Sequence, residues 1–130
     1  MYKVMWITRF NPELDREEAR RWWLERHGPL VLATPGLKRY VQNHWLETNP
    51  WSGSTRGAEM DFDGHAEAWF ESREAFDAAM ASEEFKRAIA DVASCFDPGS
   101  LSSGVVREYV MKWDPLPGWG VYEGSRAASG

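Results

Sequence analysis

Apolar and polar positions alternate or recur along this chain in a way that divides it into six elements. Residues 1–10 are short and rich in β-formers, which predicts a first strand ended by Asn11 and Pro12. Asp15 stands three residues before Glu18, the spacing of a capping box, so a helix is expected to start there. Ala19, Trp22, Trp23, Arg26 or His27, and Leu30 then fall at three- and four-residue spacing and form one buried stripe. His27-Gly28-Pro29 reads as the end of that helix, and Thr34-Pro35-Gly36 as a turn. Residues 37–47 predict a second strand, with Tyr40, Gln42 and His44 on one face and Val41, Asn43 and Trp45 on the other. Residues 49–59 form a polar Gly/Ser loop, long enough to serve as a lid or an irregular edge.

Residues 60–70 predict a third strand, in which His65, Glu67 and Trp69 alternate with Ala66, Ala68 and Phe70. From Ser72 onward, Phe76, Met80, Phe85, Ile89, Val92 and Phe96 recur near helical spacing, with a restart near Ser82 and an end at Asp97-Pro98-Gly99. Residues 105–113 predict the fourth strand. A proline-bearing tail follows from Asp114, and its last residues, from Gly124, read as disordered.

The order β-α-β-β-α-β is the α+β, ferredoxin-like split β-α-β arrangement: a four-stranded antiparallel sheet with two helices on one face. The domain is expected over residues 1–113 and the tail over 114–130. Strands 1 and 4 carry apolar residues on both faces (Val4 and Trp6 against Met5 and Ile7; Val106 and Val110 against Val105 and Tyr109). Such a sheet needs a second cover. The expectation is a homodimer with the two sheets face to face.

Composition narrows the function. The chain has 130 residues, enough for one domain, and a net charge of −5 that argues against a nucleic-acid surface or an anionic membrane. No apolar run approaches the roughly 20 residues that span a bilayer, and the first residues do not read as a signal peptide. The single Cys95 fits a reducing compartment, so a cytoplasmic protein is expected. Eight tryptophans are the outlier, and they can fill a core and an interface or wall an aromatic pocket. A Walker loop, GxGxxG, GxSxG and CxxC are all missing, which leaves nucleotide binding, serine hydrolysis and thiol redox chemistry unsupported.

The run W-x-x-x-H-G-P-L at residues 23–30, followed by P-G-L-x-x-Y-V-Q-N-H at 35–44, resembles the EthD family of dimeric α/β barrels. Asp63-Gly64, Glu67 and Trp69-Phe70 resemble that family's third strand, and Phe76 to Phe96 its second helix. The resemblance implies a barrel-forming dimer with a pocket between sheet and helices for a hydrophobic, often ring-containing compound. It implies no metal or organic cofactor. The wider superfamily holds lactone isomerases, polyketide cyclases, dehydratases, cofactor-free oxygenases, and accessory proteins without a clear reaction. In the methylmuconolactone isomerase branch a histidine ending the first helix, a strand-2 tyrosine and a strand-3 cysteine mark the site. His27 and Tyr40 match the first two, while Ala68 stands at the third, so that thiol is missing here.

These readings make His27 the candidate acid/base, with its protonated form favoured if it sits at a helix C-terminus. Tyr40 and His44 are the candidate groups for polarising an oxygen, and they share a strand face with Gln42 at steps of about 7 Å. Trp6, Trp23, Gln42, Glu67, Trp69 and Phe85 are the candidate substrate contacts. Burial is expected to raise Glu67 toward a useful pKa. A histidine that only caps its helix and a polar stripe that only serves an interface are the competing uses of the same residues. His65, Glu67 and His44 make a weak metal pattern, and no metal is expected. The function expected is a cofactor-independent isomerase or lyase acting by proton transfer on a small hydrophobic ring compound. A non-catalytic binder and a cofactor-free monooxygenase are the alternatives.

Overall fold

A computed structural model of the chain describes residues 1–47 and 61–125. Four antiparallel strands, β1 (Tyr2–Thr8), β2 (Arg39–His44), β3 (Gly64–Phe70) and β4 (Ser102–Val106), form one sheet in the order β2-β3-β1-β4. The helices α1 (Arg16–Trp22), α2 (Gly28–Leu32), α3 (Arg73–Met80) and α4 (Glu83–Cys95) complete the ferredoxin-like α+β arrangement. The loop expected at 49–59 and the last five residues of the tail lie outside the described residues.

Side-chain alternation gives the sheet two unlike faces. Tyr2, Val4, Trp6 and Thr8 of β1 share the helix-covered face with Tyr40, Gln42 and His44 of β2 and Gly64, Ala66, Ala68 and Phe70 of β3. Ala19, Trp23, Cys95 and Phe96 close over Ala66, and Ala79, with Phe76 and Met80, closes over Ala68 and Phe70. The other face carries Lys3, Met5, Ile7, Arg39, Val41, Asn43, His65, Glu67 and Trp69; the two hydrophobic clusters lie on the opposite face, and on this one only Lys3 and Trp69 are buried.

Helix boundaries follow their punctuation with one exception. Ser72 and Ser82 are N-caps, accepting hydrogen bonds from the amides of Ala75 and Phe85, so the second helical region is two helices joined at the Ser82 restart. Asp15 holds the N-cap position of α1, but its side chain makes no capping bond. Gly36 takes φ 79° in the turn before β2, where a left-handed residue is needed. The exception is His27-Gly28-Pro29, which does not stop the first helix. Pro29 has no N–H to donate, and the chain widens into a π-turn over Trp23–His27, with the Gly28 N–H donating to the Trp23 carbonyl, before α2 resumes. His27 therefore lies inside a continuous helical path, and the helix-end argument for its charge does not apply.

The fourth strand is also corrected. It runs over Ser102–Val106 and not over residues 105–113, because its ladder with β1 ends where Val106 pairs with Lys3, near the start of β1.

Candidate active site

A cavity of about 70 Å³ lies between the helices and the sheet. Trp6, Thr8, Tyr40 and Ala66 form its sheet wall; Trp23, His27 and Val31 come from the first helical region; Phe85, Ala88, Ile89 and Val92 from α4; Phe96 and Leu101 from the segment after it. The small Ala66 at the centre of β3, paired with Trp6 and Gln42, leaves the space that larger residues would fill. Ile89 and Leu101 are the exposed lining residues and mark the mouth. His27 is the one histidine among the described lining residues.

His27 is held by a partner that the sequence reading did not single out. Its Nδ1 lies 3.0 Å from Oδ2 of Asp91 on α4, and the same oxygen accepts a hydrogen bond from Trp22 Nε1 at 3.1 Å. The His27 ring also packs edge-on against Phe96, with centroids 5.6 Å apart. Burial lowers the His27 pKa below the usual histidine value, and Asp91 opposes the shift only in part. The neutral ring thus places its proton on Nδ1 toward Asp91 and leaves the Nε2 lone pair free. Asp91 stands four residues after Arg87 on α4, which in sequence reads as a surface ion pair. Only the π-turn, by rotating His27, brings imidazole and carboxylate together.

Tyr40 lines the cavity floor, and burial pushes its hydroxyl up to about 12, opposed by hydrogen bonds from Gln42 and Trp23. It stays a neutral O–H donor at any physiological pH. Gln42 and His44 lie beside the cavity and outside its lining. Gln42 Nε2 donates to the Tyr40 hydroxyl at 3.2 Å and to the Trp23 carbonyl at 3.0 Å, which turns its Oε1 toward His44 Nε2, 2.8 Å away. His44 must donate there, so its proton is on Nε2. Its ring stacks on Trp23 with centroids 4.2 Å apart. Burial lowers its pKa, reinforced by the charge of Arg20. Gly64 makes this stack possible: a Cβ there would meet Trp23 Cζ3 and the Asn43 carbonyl at 2.6 Å.

The adjacent tryptophans divide. Trp23 is buried in the core and walls the cavity. Trp22 turns away, under the Arg26 guanidinium and against Asp91. Trp6 and Phe85 are in the lining, as expected from sequence.

Glu67 and Trp69 are not part of this site. The strand register puts both on the open sheet face, where Lys3 ion-pairs with Glu67 at 2.8 Å and Lys3 and Arg39 stack over the Trp69 ring. Burial works to raise the Glu67 pKa, but hydrogen bonds from Lys3 and Asn43 and the Lys3 charge outweigh it, so the carboxylate is held low rather than raised. The same alternation separates His65 and Glu67 from His44, so that weak metal pattern does not converge. Among the described residues no three His, Cys, Asp or Glu side chains group as metal ligands. Cys95 is fully buried, donates to the Ala19 carbonyl, and has its thiol pushed up to about 12 by burial, so it is inert. Among the described residues no helix is long and apolar enough to cross a membrane.

Known structures share this fold. An ethyl tert-butyl ether D family protein from Bacillus halodurans is 20% identical, with a TM-score of 0.67 over 84% of this chain and 100% of that one. A dimeric ferredoxin-like protein of unknown function from Thermobifida fusca is 17% identical, with a TM-score of 0.58 over 81% of this chain and 88% of that one. A variant of SnoaB, a cofactor-independent oxygenase from Streptomyces nogalater, is 17% identical, with a TM-score of 0.52 over 88% and 97% of the two chains. No curated protein matches the chain in sequence. The EthD domain matches residues 11–99, which include the His27 turn, β2 with Tyr40, β3 with Ala66, and Asp91; the chain belongs to the EthD domain family.

Proposed function

We propose that this protein is a cofactor-independent isomerase or lyase that moves a proton on a small hydrophobic ring compound. The observation that carries the reading is a neutral histidine in the wall of an otherwise apolar cavity, with Nδ1 held by a carboxylate and Nε2 free. His27 Nε2 takes a proton from the carbon next to a carbonyl of the ring. The imidazolium formed is stabilised by Asp91, and Tyr40 donates a hydrogen bond to the enolate oxygen that develops. Return of the proton to another carbon completes an isomerisation; loss of a β-hydroxyl with that proton, as water, completes a dehydration. Trp6, Trp23, Phe85 and Phe96 exclude bulk water. The cavity is smaller than the 300–1,000 Å³ usual for ligand sites, so Ile89 and Leu101 at the mouth swing aside as a ring enters. The open sheet face, with Met5, Ile7 and Val41, meets the same face of a second copy in a homodimer. The dimeric Thermobifida fusca neighbour supports this assembly.

The test is a panel of muconolactones, phenols and polycyclic ketones, followed by tryptophan fluorescence and then by mass spectrometry of each mixture. Quenching with an isomeric or dehydrated product is expected. His27→Ala should lower kcat by about 10²-fold or more, the range of a lost acid/base group. Near-normal turnover by that variant refutes the assignment, and binding without turnover favours an accessory binder. The likeness to SnoaB supports a second reading, oxygenation of an electron-rich phenol in the same apolar cavity. Oxygen uptake with a product that has gained one oxygen and lost two hydrogens, the second oxygen atom leaving as water, would select it.

A further inference from the structure

The chain beyond β4 carries a large amount of apolar surface that its own subunit does not cover. Tyr109, Met111, Trp113, Leu116, Trp119 and Tyr122 are each at least 51% exposed, and Met111 is 91% exposed. The Trp113 and Trp119 rings pack on each other, with centroids 4.7 Å apart, and each residue stays more than half exposed. Pro115 and Pro117 stiffen the segment between them, so little chain freedom remains to be lost on docking. The root of the segment is fixed on the open sheet face, because Glu108 ion-pairs with the buried Lys3 at 2.9 Å.

We propose that residues 108–123 form an exchanged arm, which lies on the open sheet face of a second copy of this chain. The proposal rests on the face-to-face dimer read above and goes beyond it by naming what each chain lends its partner. Continuity is the first argument: the arm leaves its subunit at the face the second copy would cover. Area is the second. Six side chains at roughly 100 Å² each give about 600 Å² per arm, so two arms and the surfaces they cover exceed the roughly 1,600 Å² of a standard interface. Charge is the third. The receiving face holds a cleft of about 530 Å³ around Trp69, whose lining has Lys3, Lys38, Arg39 and Arg107 against one acid, Glu108, while the arm carries Glu108, Asp114 and Glu123 against one base, Lys112. Arg39, exposed beside Trp69, already stacks on that ring and offers the same cationic surface to an incoming tryptophan.

Two measurements decide it. Sedimentation of the full chain over a dilution series gives the dimer dissociation constant, which should rise about tenfold or more both for a chain ending at Arg107 and for the full-length double variant Trp113→Ser, Trp119→Ser. Photo-crosslinking from p-benzoylphenylalanine at position 119 should give an adduct of twice the chain mass, joined to peptides from residues 38–44 or 65–70. A full chain that is monomeric at high micromolar concentration overturns both the dimer and the arm. A dimer whose dissociation constant ignores both variants, or whose crosslinks stay within one chain, overturns the arm alone and leaves the dimer standing.

Discussion

Replacing Asp91 with Asn tests the catalytic reading at the contact that supports it. Asp91 Oδ2 lies 3.0 Å from His27 Nδ1, and both side chains are mostly buried. The charge centres of an imidazolium–carboxylate pair at that contact are about 4 Å apart, which at an effective dielectric near 20 is worth ~4 kcal/mol. About half of the imidazolium charge has developed in a proton-transfer transition state, so neutralising Asp91 should remove ~2 kcal/mol, roughly 30-fold in kcat. KM should change little, because Asp91 is not in the cavity lining. The acid limb of the kcat/KM profile should move to lower pH, since Asp91 is the group that raises the His27 pKa against burial. The Asn amide oxygen can still accept from Trp22, which keeps α1 and α4 joined. The assay is steady-state kinetics over pH 4.5–8 with the first compound turned over in the screen, beside a thermal melt that reports folding. Wild-type kcat with an unmoved acid limb would refute the pairing as a catalytic device and leave it a structural bond.

Three further outcomes follow from the same geometry. In the wild-type enzyme kcat/KM should fall only as pH drops through a value below the usual 6.5 of histidine, because His27 must lose its proton to act and burial holds its pKa down; it should then stay level through pH 10, since the Tyr40 hydroxyl is pushed up to about 12. A limb centred above pH 7 would contradict the neutral-base assignment. Gly64→Ala should cost about 1–3 kcal/mol, read as a drop of several degrees in Tm, because the added methyl would overlap Trp23 and the Asn43 carbonyl at 2.6 Å. An unchanged melt would mean that the Trp23–His44 stack is loose. Cys95 should react with a thiol reagent only at the rate of unfolding, being fully buried with its pKa raised; rapid labelling of native protein would show that α4 opens.

Apolar periodicity by itself indicated the six segments and their order, because a period of two or of about 3.6 is set by near neighbours, while the place of β4 and the run of the first helical region past Pro29 came only with the tertiary structure. Ser72 and Ser82 marked their helix starts for the same local reason, since each cap is closed within three residues. His27, Tyr40, Trp6, Trp23 and Phe85, the candidates expected from sequence, all stand in the cavity lining. Which face of β3 would meet the ligand was not legible, since His65, Glu67 and Trp69 carry as much chemistry as Ala66, Ala68 and Phe70 carry bulk. Only the packing of the helices against the sheet decided that the alanine face lines the cavity and that Glu67 goes to Lys3. The state of His27 was likewise tertiary. A helix end would have favoured its charge, but the π-turn keeps it inside the helical path and burial keeps it neutral. Asp91 stands 64 residues away in sequence, and no local pattern connects a residue on α4 to a turn of the first helical region. Local periodicity is set by neighbours a few bonds apart, whereas a catalytic pair is set by which helix faces meet, and that is settled only when the sheet brings them together.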